Sequence, residues 1–375
     1  MDADRRPGWS RRLHEALGAA VHVDRAAAQP VAALRYAGGT GALLLVGLTT
    51  LSPQLAIVLA SGAVNADAIG VNPQLARPRV TMLVTTAALS LSLFLACLTA
   101  DRPVLAVLAL AAIGALAGLL SGASQATSVI GVQAMVGFVV LGQRAAPLPT
   151  ALTYAGLAAV GGLVQVVLGL LLRLDAQRTA AASVPGLRGR VGRPQRPDLA
   201  PVGDVSRDAV ASLRHPDQAT RWHALRLGLG LGAAEALAQL LDGARGYWVP
   251  LTVTNVVKPQ WVDTVGRGVD RLLGTVLGLV LWSGLVAWLQ PRGLSLIVLA
   301  TFLAWAMFTL QFVNYLCYTA VLTGWVVVFL EVSGVHAPDS APDRLLATAI
   351  GGALSFLLVA LVRTTKPYEA GQGQA

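Results

Sequence analysis

Residues 81–98, TMLVTTAALSLSLFLACL, contain no charged side chain. A transmembrane helix needs about 20 mostly apolar residues to cross about 30 Å of hydrocarbon. A second such stretch, LSLIVLATFLAWAMFTL, occupies residues 294–310. With 55% hydrophobic and 13% charged residues, the 375-residue chain carries more apolar surface than a water-soluble domain buries. The sequence therefore predicts an all-α integral membrane protein.

Apolar runs between charged residues, Gly and Pro predict about twelve transmembrane helices. The first six lie near 33–50, 54–69, 80–99, 103–120, 123–142 and 150–173, and the second six near 223–241, 247–258, 267–289, 294–310, 311–331 and 343–363. They form two membrane halves, 33–175 and 223–365. We expect residues 176–222, which are rich in Arg and Pro, to be a cytoplasmic and largely irregular linker. Residues 1–32 form a basic cytoplasmic arm and residues 366–375 a cytoplasmic tail.

An offset of 190 residues relates the two halves. At this offset Asn65 corresponds to Asn255, Arg102 to Arg292, and Gly161 to Gly351. Because each half has an even number of predicted spans, both halves enter the membrane from the same side. This arrangement is a parallel repeat about an axis along the membrane normal. Chance matching of the two halves is the alternative.

The distribution of basic residues predicts the orientation. With a cytoplasmic N-terminus, 23 of the 28 Lys and Arg residues lie on the inner side, as the positive-inside tendency expects. The exceptions are Arg102, Arg144, Arg245, Arg292 and Arg344. We therefore expect a multi-pass protein of the plasma (inner) membrane with both termini in the cytoplasm.

Residues 245–279, RGYWVPLTVTNVVKPQWVDTVGRGVDRLLGTVLGL, resemble the second-half signature of the fusaric acid resistance-like (FUSC) superfamily, also called the aromatic acid exporter family. The recognisable parts are Tyr247-Trp248, Pro250-Leu251-Thr252, Lys258-Pro259, Arg267, Arg271 and Gly274-Thr275 followed by Gly278. The resemblance implies a bacterial inner-membrane transporter, since some similar proteins are linked to export of aromatic carboxylic acids. Plant anion channels look distantly similar. This chain departs from the longer exporters in its short linker.

A short apolar segment and nearby cations suggest a substrate site. Residues 247–257 would make only about 17 Å of helix, too short to span alone. The matching stretch 55–64 is also short before Asn65 and Asp67 interrupt it, and paired short segments often mark a transporter's binding site. Lys258, Arg267 and Arg271 would form a cationic cluster at the inner end, which attracts carboxylates. Positive-inside topology alone is the plain alternative.

Two sets of polar side chains are candidates for lining a passage. Gln311, Asn314, Tyr315 and Tyr318 follow the spacing of one helical face, and Ser121, Ser124, Gln125 and Ser128 are their counterparts at the 190-residue offset. The two sets could face each other across a pore. Helix packing through intramembrane polar groups is the alternative interpretation. Further substrate candidates are Asn65, Tyr247, Trp248 and Asn255.

The leading hypothesis is a FUSC-like transporter that exports small organic anions. Coupling to protons would use Glu235 or Asp67, whereas a passive anion channel needs no coupling carboxylate. A membrane scaffold or envelope-assembly subunit is the third alternative. Neither a GxxxxGK[ST] loop nor an HExxH helix occurs, so no cofactor, metal or enzymatic activity is expected. The expected partners are the lipid bilayer and a small organic anion, without nucleic acid, and homo-oligomerisation is left open.

Overall fold

The computed structural model describes residues 23–75, 77–142, 145–171, 203–241, 246–258, 261–334 and 337–361. Side chains at 141, 203–206, 208, 211, 261–263 and 337–341 are not described. Within these ranges the chain forms thirteen α-helices and no strand. Residues 1–22 of the predicted arm, residues 176–202 of the predicted linker and the whole predicted tail (366–375) lie outside the described residues.

Six helices make up the first half of the chain. They are α1 (Pro30–Thr50), α2 (Pro53–Gly70), α3 (Pro78–Thr99), α4 (Pro103–Leu120), α5 (Gln125–Val136, followed by a π-helical turn over Gly137–Leu141) and α6 (Leu148–Leu171). Helices α1 to α4 all have Pro at the start. Pro suits this position because its φ is already helical and its missing N–H would have had no intrahelical partner.

One linker helix and six further helices follow. They are α7 (Gly203–Arg214), α8 (Gln218–Leu240), α9 (Trp248–Val256), α10 (Trp261–Leu289), α11 (Leu294–Leu310), α12 (Tyr315–Val332) and α13 (Ala337–Leu361). The linker is therefore helical over 203–214, which differs from the irregular structure expected there. Helix α8 begins at Gln218 because the Asp217 side chain caps it, accepting a hydrogen bond from the Thr220 N–H at 2.8 Å.

Of the helices in the described residues, seven are long and apolar enough to cross a membrane: α1, α3, α4, α6, α10, α12 and α13. The outer surface is accordingly apolar, with Leu281 60% and Trp288 80% exposed on α10. A water-soluble protein would not leave a helix face of this kind uncovered. The chain is a multi-pass membrane protein.

Helix packing links the two halves crosswise. Helix α1 packs against α11, and α8 packs against α4. The contact between α4 and α8 is close because glycines stand at the crossing: Gly118 faces the Cα of Ala224, and Gly228 faces the carbonyl oxygen of Ala111. Small residues let helix backbones approach in this way.

Helix α2 corrects one prediction. It runs without a break from Pro53 to Gly70, so Asn65 and Asp67 do not interrupt it. Its polar side chains find partners within the protein: the Asn65 amide donates to the Ser61 carbonyl oxygen, and the Asp67 carboxylate accepts from Thr40. The matching segment of the second half is short as predicted, since α9 comprises only nine residues.

Candidate functional site

A cavity of about 310 Å³ lies among α4, α5, α8 and α9. Its polar lining residues are Ser121, Ser124, Gln125, Ser128, His223, Thr254 and Lys258. The predicted polar set of the first half, which comprises Ser121, Ser124, Gln125 and Ser128, therefore lines the same cavity as Lys258. This volume is at the lower end of the range for small-molecule sites, which is about 300–1,000 Å³.

The N-terminus of α5 forms one wall of the cavity. Ser124 caps this helix: its hydroxyl accepts from the Thr127 N–H at 3.2 Å, and its own N–H donates to the Thr127 hydroxyl at 3.0 Å. The linker helix α7 meets the same end of the bundle, because the Ser212 hydroxyl donates to the Leu119 carbonyl oxygen at 2.7 Å. The cavity therefore lies on the linker side of the membrane domain.

Lys258 and His223 supply the basic groups of the cavity. The backbone of Lys258 is fixed by Thr264, whose hydroxyl accepts from the Lys258 N–H at 3.0 Å and lies 3.3 Å from its carbonyl oxygen. His223 is 4% exposed, and its Nδ1 has no hydrogen-bond partner among the described residues. A cation, a helix N-terminus and several hydroxyls together favour a small anion.

Neither polar set lies on one continuous helix, which corrects the sequence prediction. Helix α4 ends at Leu120 before the cap residue Ser124, and α11 ends at Leu310 before the cap residue Asn314. Ser and Asn favour the cap because their side chains accept hydrogen bonds from N–H groups that have no intrahelical partner. The regular spacing therefore reflects a turn followed by the first turn of the next helix.

The predicted polar set of the second half, Gln311 to Tyr318, lies against α2 and α10 and does not line the cavity. The Gln311 amide donates to the Ala68 carbonyl oxygen at 3.2 Å. The Tyr315 and Tyr318 rings stack with centroids 5.8 Å apart, and the Arg267 guanidinium lies 4.5 Å from the Tyr315 ring centroid. The cavity around Lys258 thus does not include the aromatic surroundings of Arg267.

Two buried arginines occupy the interior of the second half. Arg271 of α10 is 4% exposed and Arg344 of α13 is 2% exposed. Arg344 packs over the Trp248 ring, 4.2 Å from its centroid, and donates to the Thr323 hydroxyl at 3.1 Å. Sequence reasoning missed Arg344 because a cation near the start of a predicted span fits an outer loop, whereas α13 begins at Ala337 and carries Arg344 into the bundle.

Asp67 is fully buried in the first half. Its Oδ2 accepts a 2.5 Å hydrogen bond from the Thr40 hydroxyl, and its Oδ1 has no partner among the described residues. The Gln165 amide donates to the same Thr40 hydroxyl at 3.2 Å and to the Tyr36 carbonyl oxygen at 3.3 Å. Thr40 therefore joins Asp67 of α2 to Gln165 of α6 in one buried polar network.

The other predicted residues make local contacts. Glu235 is half-buried and accepts a 3.2 Å hydrogen bond from the Gln239 amide of its own helix. The Asn255 amide donates to the Leu251 carbonyl oxygen of its own helix at 2.8 Å. The Tyr247 ring lies beside Trp248, with centroids 4.4 Å apart. These contacts give Glu235 and Asn255 partners in the absence of substrate.

Comparison with known proteins identifies the second half. Residues 232–358 match the family described as fusaric acid resistance protein-like. The second half is FUSC-like. This span includes α9, Lys258 and both buried arginines, so the resemblance predicted from residues 245–279 is confirmed there.

Three bacterial relatives match over limited regions. A protein of Haemophilus influenzae described as uncharacterized is 32% identical over 36% of this chain and 19% of its own length. Uncharacterized protein ORF2 of Neisseria gonorrhoeae is 31% identical over 36% of this chain and 33% of its own length. Inner membrane protein YccS of Escherichia coli is 28% identical over 39% of this chain and 20% of its own length. The chain therefore spans a third or less of these relatives, and no solved structure matches it significantly.

Proposed function

We propose that this protein transports small organic anions, aromatic carboxylates among them, across the bacterial inner membrane. The observation that carries the proposal is the cavity in which Lys258, His223 and the N-terminus of α5 meet. The charge of Lys258 and the dipole at the helix N-terminus favour binding of a negatively charged solute. A FUSC-like second half and a relative named for the inner membrane support the location.

The proposed architecture is a pair of parallel six-helix repeats with about twelve spans. The crosswise packing of α1 on α11 and of α8 on α4 supports this repeat, since each pair joins the first helix of one half to the fourth of the other. The proposed orientation has both termini in the cytoplasm. The cavity then opens towards the cytoplasm, where export would begin.

A passive anion channel is the second candidate function. Neither coupling candidate, Glu235 or Asp67, is among the residues that line the cavity, and this favours the channel. Asp67 is the coupling candidate that fits proton-coupled export. The channel therefore differs from the exporter in its response to a proton gradient.

Reconstituted liposomes test the proposal. Purified protein is inserted, labelled 4-hydroxybenzoate is trapped inside, and its loss is followed with and without an imposed proton gradient. Lys258→Gln removes the cation of the cavity, and Arg292→Gln is the matched control because Arg292 is an exposed cation in the turn between α10 and α11. We expect Lys258→Gln to slow flux about tenfold or more, which corresponds to about 1.4 kcal/mol, and Arg292→Gln to leave it unchanged.

The pattern of flux separates the alternatives. Flux that depends on the gradient supports a coupled exporter, and flux that is sensitive to Lys258→Gln but not to the gradient supports a channel. If a panel of aromatic and aliphatic anions shows no flux above protein-free liposomes, transport is rejected in favour of a scaffold.

A further inference from the structure

Arg271 and Arg344 are buried, and no carboxylate of the described residues forms an ion pair with either guanidinium group. The Nε and Nη1 atoms of Arg271 and the Nη1 atom of Arg344 have no hydrogen-bond partner within the described part of the chain. The described ion pairs also include neither residue. Donors of a buried charged group that find no acceptor are strongly unfavourable, so native proteins seldom keep them without a function.

The helices that carry the two arginines pack against each other. Arg271 lies on α10 and Arg344 on α13, and these two helices are in direct contact. Asp270 precedes Arg271 on α10, and its Oδ1 atom has no hydrogen-bond partner among the described residues, so that atom accepts from neither guanidinium. Like charges inside a bundle repel each other more strongly than in water because the surroundings have a low dielectric constant. An anion between the two groups would remove both the repulsion and the unmet hydrogen bonding.

The surroundings hold the guanidinium of Arg344 in place. Its Nη2 donates to Thr323 of α12, and its plane lies over Trp248 at the start of α9. These contacts do not use the Arg344 Nη1 atom, which can therefore donate hydrogen bonds to a ligand. Arginine forks bind carboxylates and other oxyanions through paired hydrogen bonds, and a fixed fork loses little entropy when it binds.

We propose that Arg271 and Arg344 form a binding site for an oxyanion such as a carboxylate within the FUSC-like half. Because two cations face one site, a dianion binds there more tightly than a monoanion. The proposal rests on the proposed transport function: in a transporter, the two arginines would hold the anion inside the helix bundle during its passage. This site shares helix α9 with the cavity, because Trp248 begins that helix and Lys258 follows its end.

Binding to the detergent-purified full-length protein tests the site without a flux measurement. The apparent unfolding temperature is recorded while malonate, benzoate or chloride is added at matched ionic strength. A ligand that binds only the folded state raises this temperature with its concentration. We expect a saturable rise with malonate, a weaker one with benzoate, and only a small, non-saturating change with chloride.

Variants assign the effect to the two arginines. Arg344→Met should weaken malonate binding at least tenfold without lowering the unfolding temperature of the anion-free protein, because it removes an unpaired buried charge. Arg271→Lys keeps the charge but not the fork and should also weaken binding. Arg102→Gln is the control, since Arg102 is an exposed arginine at the start of α4. If Arg344→Met does not fold, Thr323→Val, which removes only the hydroxyl partner of Arg344, should weaken malonate binding.

The outcomes separate this site from the proposed transport. Saturable malonate binding that is lost in the arginine variants supports the site, even if liposomes show no flux. The site is rejected if wild type shows no anion-dependent rise, or if the arginine variants and Arg102→Gln respond to malonate as wild type does. Flux that persists in wild type without detectable binding rejects the site and leaves the transport proposal standing.

Discussion

Asn65 and Asn255 make the same hydrogen bond at corresponding positions of the two halves. Each side-chain amide donates to the carbonyl oxygen four residues earlier, Ser61 in one case and Leu251 in the other, at 2.8 Å. The glycines of α6 and α13 show a similar correspondence. Gly161 faces the carbonyl oxygen of Leu59, and Gly351 faces that of Val249. These pairs, all related by 190 residues, support the proposed internal repeat.

Close packing of α2 on α6 predicts that Gly161→Ala destabilises the protein. A Cβ at this position would meet the backbone carbonyl of Leu59, which cannot move aside as a flexible side chain can. We expect a loss of about 1–3 kcal/mol in the free energy of unfolding, measured by denaturant titration in detergent. Gly156→Ala in the same helix is the matched control, because its Cβ would meet nothing within 4 Å. Equal stability of the two variants would contradict the close contact.

The cap of α12 predicts a second effect on stability. Asn314 Oδ1 accepts from the Cys317 N–H at 2.9 Å. Asn314→Ala should lower the free energy of unfolding by about 0.5–2 kcal/mol, whereas Asn314→Ser should retain most of it because serine is also a good cap. The same titration measures both variants. If serine and alanine behave alike at position 314, the cap does not contribute.

If the proposed transport is coupled to protons, the buried carboxyl of Asp67 is the coupling candidate that a single substitution tests. Asp67→Asn leaves an acceptor for the Thr40 hydroxyl but cannot release a proton. We therefore expect flux in liposomes to continue while its response to an imposed proton gradient is lost. Folding should change by no more than about 1 kcal/mol, because a neutral group replaces a buried one of the same shape.

Glu235→Gln is the control for this measurement. Its half-buried carboxylate accepts from Gln239 of the same helix, and glutamine keeps an acceptor oxygen there, so the substitution should leave the gradient response intact. A gradient response that survives Asp67→Asn would remove Asp67 from the coupling mechanism. If only Glu235→Gln loses the response to the proton gradient, Glu235 of α8 and not Asp67 is the coupling residue.

Much of the candidate site could be predicted from residue types, but its grouping could not. The serines, Gln125 and Lys258 were predicted as polar or cationic candidates, and the structure brings them into one cavity. His223 was missed because a single histidine near the start of a helix has no distinctive spacing. Arg267 and Arg271 lie four residues apart on α10 and near Lys258 in sequence. Arg267 nevertheless packs over the Tyr315 ring, Arg271 is buried, and neither lines the cavity.

The sequence by itself determined the features that depend on neighbouring residues. Hydrophobic runs specify membrane helices, Pro specifies where α1 to α4 begin, and the motif over 245–279 specifies the FUSC-like half. Only the tertiary structure decided which polar groups meet. Asp67 fits within a continuous α2 because Thr40, on another helix, donates to it, and Arg344 reaches Thr323 because α13 begins well before it. Such contacts join residues far apart in sequence, so the local sequence pattern does not predict them.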